Sequence, residues 1–282
     1  MTDSLSVLSM IFLGISAAAA AVIPFILLII FKKKGAEVVP FFIGFAVFVL
    51  FALVIEGAIN YLVLNVIPAG KALSQNTLFI AIYGGLMAGL FEETGRYIAF
   101  KTVLKKRLGN DMNALSYGAG HGGIEAIMTL SVTYLAYIVI ALMMRSDTLV
   151  RLIPEEAMSQ LAPVMEQLAA MPAVTILAGL VERCIAITLH ICLSVMVWFA
   201  AKRKKSFLLY PAAILCHAFL DAVLVILSRT TNLSTFVLEG ILALLVIVMV
   251  FITIIIWKKQ KAVIAFETVP EEVPAEEVPA EE

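Results

Sequence analysis

Seven long apolar runs, separated by short polar breaks, organise the chain: about 5–31, 38–64, 77–101, 113–144, 173–201, 206–228 and 233–257. Each reaches the ~20 residues that a helix needs to cross the hydrocarbon core of a bilayer. The pattern predicts an all-α fold, a polytopic transmembrane helix bundle of about seven spans. Two segments fall outside it. Residues 146–172 carry Pro154-Glu155-Glu156 and then apolar residues at helical spacing (Met158, Leu161, Val164, Met165, Leu168), which predicts an external amphipathic helix at the membrane surface. A packed loop helix is preferred there over a substrate lid. From Glu267 the chain repeats Glu-Glu-Val-Pro-Ala, an acidic, low-complexity composition that predicts disorder. The expected division is therefore a membrane domain over 1–261, with its motif-bearing core at 77–225, and an acidic tail over 262–282.

Composition agrees with the pattern. The chain is 62% hydrophobic and 15% charged, with a mean hydropathy of +1.04, too apolar for a water-soluble domain. The net charge of −1 conceals a strong segregation. Lys32–Lys34, Lys101 with Lys105–Arg107, Lys202–Lys205, and Lys258, Lys259 and Lys261 hold 14 of the 20 lysines and arginines, and all follow odd-numbered spans. The positive-inside rule then places the N-terminus outside and the C-terminus in the cytoplasm. The first run is much longer than the ~7–15 residues of a signal h-region and has no basic leader, so it reads as an uncleaved span. Cys184, Cys192 and Cys216 lie in apolar runs without CxxC spacing and predict no disulfide framework.

Glycine marks close helix contacts at two GxxxG pairs, Gly85/Gly89 and Gly118/Gly122. The run Gly118-Ala-Gly-His121-Gly-Gly123 also satisfies GxGxxG. No strand precedes it, so a dinucleotide reading is rejected.

The polar residues that interrupt the apolar runs carry the chemistry. Glu56, Glu92, Glu93, Arg96, His121, Glu125, Glu182, Arg183, His190, His217, Asp221 and Glu239 all lie within spans, and they include all three histidines of the protein. An ionisable group in hydrocarbon costs several kcal/mol, so such residues mark function or pair with one another. Arg96 lies four residues after Glu92 and three after Glu93, within reach of either on a helix. His121/Glu125 and His217/Asp221 are each four apart, on one helix face. At ~1.5 Å per residue, Glu92, His190 and His217 lie roughly 14–18 Å from the basic loops, near one level of the membrane. Glu56 and Glu239 are expected at the periphery.

These residues resemble a known family. Glu92-Glu93-Thr-Gly-Arg96-Tyr97, Tyr117-Gly-Ala-Gly-His121-Gly-Gly-Ile-Glu125, Glu182-Arg183 followed by His190, and His217-Ala-Phe-Leu-Asp221 resemble the ordered motifs of YhfC-family intramembrane metalloproteases. That family is similar to PrsW and to the CAAX-protease and bacteriocin-processing superfamily. The resemblance implies that Glu92 activates water as the catalytic carboxylate, with Glu93 and Arg96 in support. Glu125, His190 and His217 would be metal ligands or would hold water. Asp221 stands where many relatives carry Asn and fits metal ligation or histidine orientation, while His121 is extra to the general pattern and is grouped with the metal residues.

The implied activity is hydrolysis of a peptide bond inside the cell membrane of a bacterium, with a divalent ion such as Zn²⁺ keeping one position open for water. Glu92 would act as general base and then acid. No HExxH motif is present, so a metal-free reaction stays open. The expected partners are the bilayer and a membrane-protein, lipidated or peptide substrate, with no nucleic acid. The rival readings are a proton- or ion-coupled transporter, against which no inverted repeat is found, a non-catalytic immunity or binding protein on the same scaffold, and a polar network that only locks helices together.

Overall fold

A computed structural model describes residues 5–145 and 154–267, and within them the fold is a bundle of helices without strands. The long helices are α1 (Val7–Lys33), α2 (Val39–Val66), α3 (Thr77–Lys101), α4 (Met112–Met144), α5 (Glu155–Ala170), α6 (Ile176–Lys202), α7 (Leu209–Thr230) and α8 (Thr235–Glu267). Six of these segments, all but α3 and α5, are long and apolar enough to cross a membrane. α3 has the length, 25 residues, and owes its lower hydropathy to Glu92, Glu93 and Arg96. The chain is thus a multi-pass membrane protein.

Local chemistry sets the helix ends. Ser6 caps α1 by accepting from the Ser9 N–H at 3.0 Å, and Asn76 caps α3 by accepting from the Phe79 N–H at 2.9 Å. Each side chain satisfies a donor that the first helical turn leaves without a partner. α8 runs on to Glu267, beyond the expected boundary at 261. The expected external segment is described from residue 154, and its Met165 on α5 packs with Leu5, Leu13, Ala141 and Ile176. Residues 146–153 and the tail after Glu267 lie outside the described residues.

The basic loops share one face of the bundle. The Asn110 side chain donates to the Gly35 carbonyl at 2.8 Å, and Arg107 pairs with Glu37. Lys202 binds Asp111 at 2.7 Å, and Arg203 donates to Gln260 at 2.8 Å. These contacts join the α1–α2, α3–α4 and α6–α7 connections to the end of α8.

Burial is arranged for a solvent that is itself apolar. Large aliphatic and aromatic side chains such as Phe42, Leu53, Leu86, Val181, Leu215 and Phe251 point outward, whereas Glu92, Glu93, Arg96, His121, His190 and His217 are buried. In a bilayer the exposed apolar side chains meet lipid and the ionisable ones turn toward each other. Both GxxxG pairs lie at helix contacts. A Cβ at Gly85 or Gly89 would fall 2.4 Å from the Ala218 carbonyl oxygen or 2.6 Å from that of Ile214, on α7. A Cβ at Gly118 or Gly122 would fall 2.6 Å from Ile191 Cα or 2.9 Å from Ile187 Cα, on α6. Only hydrogen fits there, and backbones approach closely as small residues allow. One contact draws α3 to α7 and the other draws α4 to α6, which sets the polar residues face to face.

Candidate metal centre

On α3, Gly85, Gly89, Glu92 and Arg96 recur at intervals of three or four and form one buried stripe, with Glu93 buried beside it. The stripe that packs by its glycines therefore carries the carboxylates inward one turn later. On α4, His121 follows the glycine-lined turn and Glu125 follows one turn on. The helix widens into a π-type turn over Ile127–Ser131 directly after Glu125, a distortion common beside functional groups.

Glu92 lies at the centre. Its Oε2 is 2.9 Å from His121 Nε2 and 3.8 Å from His190 Nδ1. Among the described residues, Glu92, His121 and His190 form the group whose ligand atoms lie within 4.8 Å of one another, and all three are buried. His121 Nδ1 is buried without a hydrogen-bond partner. An orphaned polar atom of that kind costs ~1–3 kcal/mol unless something binds it. His190 Nε2 approaches Glu125 Oε2 to 2.5 Å, yet that oxygen has no partner in hydrogen-bond geometry. Two imidazoles and a carboxylate are also the donor set of a zinc peptidase. The donor chemistry fits a divalent ion at the point that His121 Nε2 faces, while the orphaned Nδ1 lies on the other side of the ring.

Glu93 has a different environment. It is fully buried, its Oε2 takes the Arg96 guanidinium, and its Oε1 is 2.9 Å from His217 Nδ1. Both oxygens are engaged within the protein, whereas Glu92 lines the central cavity of about 100 Å³. Arg96 is fully buried as well and lies 3.2 Å from His190 Nδ1, and so joins the glutamate pair to the α6 histidine.

The remaining expected residues surround this core. Glu125 accepts from Arg183 at 2.7 Å, and Arg183 also pairs with Glu182. His217 reaches toward Asp221 at 3.6 Å, and the Asp221 side chain is 40% exposed. Glu125, His217 and Asp221, which the resemblance placed among the ligands, thus stand beside the three-donor group and outside it. His121, extra to the general pattern, stands inside. Glu56, expected at the periphery, is buried, bonded to Asn60 at 3.0 Å, and within electrostatic range of His217 and Asp221. The wide turns of α2 over Val49–Glu56 rotate it inward, a displacement that regular helical spacing does not reveal.

Comparison with known proteins settles the family. The model of the YhfC intramembrane metalloprotease family matches residues 19–243. The chain belongs to this family. It is 37% identical over 246 residues to a protein of Bacillus subtilis (strain 168) named as the uncharacterized membrane protein YhfC, covering 86% of this chain and 94% of that one. No solved structure matches the chain. The family match takes in all four polar motifs, from Glu92 on α3 to Asp221 on α7, so the buried cluster lies entirely within the matched residues.

Proposed function

We propose that the protein is an intramembrane endopeptidase whose cavity water is activated by Glu92, with a divalent metal, zinc being the best match to the donors, held by Glu92, His121 and His190. The observation that carries this reading is the convergence of those three donors from α3, α4 and α6 on one buried point. When bound, the ion would polarise the scissile carbonyl and lower the pKa of a water.

The protein's own groups supply the rest. Glu92 faces the cavity and, through Oε1, the oxygen not turned to His121, takes the proton of the attacking water, then returns it to the leaving amine. Glu125, itself held by Arg183, orients the His190 ring from its Nε2 side, as carboxylates behind ligating histidines do, and Nδ1 would be free for the ion once Arg96 turns from it. Glu93, held by Arg96, orients His217 in the same way. The low-dielectric surroundings strengthen each of these interactions. The substrate is a membrane-embedded or membrane-anchored polypeptide, because the cavity lies between lipid-facing helices.

The test compares new N-termini in the membrane proteome of cells expressing the wild-type protein or Glu92→Gln. The reading expects cleavage products present with wild type and absent with the variant. Identical product sets would overturn it.

A further inference from the structure

Hydrolysis within a bundle needs a supply of water, and the cluster is closed toward the basic loops. Tyr117, Phe100 and Trp198 lie one to two turns from the site on that side, and all three are fully buried. Their rings interlock, with centroids 4.6 Å apart for Phe100–Tyr117 and 5.0 Å for Phe100–Trp198. Asp111 receives the Trp198 indole N–H at 3.0 Å and seals the outer edge of this plug.

The opposite direction differs in kind. Asp221 lies one helical turn beyond His217 and is the least buried member of the site. Glu56, on α2, is buried at a similar depth, ~15 Å from the helix end at Val66. One turn further out, Asn60 donates to Glu56, while its Oδ1 is buried without a partner. The Tyr83 hydroxyl, on α3 and ~9 Å from the helix start, is also buried without a partner, and it lies within electrostatic range of Glu56. Tyr83 in turn borders an open and mostly apolar surface groove of about 480 Å³ at the α2–α3 end of the bundle, together with Leu73, Asn76, Leu78, Phe79 and Ile82.

We propose that Glu56, Asn60 and Tyr83 line a water path that enters at the α2–α3 end of the bundle and reaches the site at Asp221. Two buried polar atoms without protein partners, one on α2 and one on α3, are accounted for by waters that bridge them. A carboxylate at Glu56 is affordable in the membrane when such waters solvate it. The use of this water rests on the hydrolytic reading above, but the path does not.

The test is thiol labelling in sealed vesicles. Cys184, Cys192 and Cys216 are first replaced by Ser, and single cysteines are then introduced by Glu56→Cys, Asn60→Cys and Tyr83→Cys. Val54→Cys, Leu62→Cys and Leu86→Cys serve as controls, since these side chains face outward on the same helices. A charged, membrane-impermeant methanethiosulfonate reacts with thiolate, which forms only where water reaches. Added at the α2–α3 face, it should modify the three path positions at least ~10-fold faster than the controls, and should show no such preference from the basic face. Path positions that react no faster than the controls, or that react faster from the basic face, would overturn the proposal. Asn60→Cys carries the test if Glu56→Cys does not fold. Failure here leaves the comparison of cleavage products untouched, so the two readings fail separately.

Discussion

Glu92 Oε2 and His121 Nε2 lie 2.9 Å apart across the contact between α3 and α4. The pair joins the residue expected to do the chemistry to the one whose role the motif pattern left open. It makes His121 a member of the three-donor group.

His121→Ala and His190→Ala should therefore lose bound zinc, while His217→Ala keeps it, because His217 is tied to Glu93. Metal analysis of the purified proteins, at equal folded fraction, checks this. Loss of metal in His217→Ala with retention in His121→Ala would reverse the assignment.

Glu125→Gln should keep the ion but bind it ~10–100-fold more weakly, the usual effect of removing a carboxylate behind a ligating histidine. Competition with a zinc chelator measures the change. Unchanged affinity would show that Glu125 does not act through His190.

Arg96→Met should unfold readily. Arg96 and Glu93 are both fully inaccessible, and removing one partner of a buried pair costs about 3–5 kcal/mol. The double variant Glu93→Gln/Arg96→Met should recover part of the loss, read as the thermal midpoint in detergent. A double variant no better than the single one would contradict the pairing.

Gly118→Ala should destabilise by about 1–3 kcal/mol, because its Cβ would meet the α6 backbone. Gly84→Ala, with nothing within 4 Å of its Cβ, should be neutral or slightly stabilising. Thermal unfolding of the two variants side by side checks the α4–α6 contact that brings His121 to His190.

Much of this was legible in the sequence because a membrane simplifies the code. Apolar runs of sufficient length gave the spans, and each ionisable residue within a run stood out against its surroundings. The glycine pairs announced the two close helix contacts, and the spacing of Glu92, Glu93 and Arg96 put the arginine within reach of the carboxylates. What spacing could not supply was the partner of each group across helices. Whether His217 meets Glu93 or a shared ion depends on the rotation of α7 against α3, and that rotation is set by packing at Ala218 and Ile214. Glu56 was expected at the periphery because its apolar run carries no other charged residue, and only the packing of α2 reveals its burial.

The central claim is that Glu92, His121 and His190 hold one divalent ion, and zinc K-edge X-ray absorption on the purified full-length protein tests it most directly. The account predicts a shell of nitrogen and oxygen donors at about 2.0–2.2 Å with two imidazoles, and loss of that bound-zinc signal in His121→Ala. A sulfur shell at about 2.3 Å, or a spectrum that His121→Ala leaves unchanged, would contradict it.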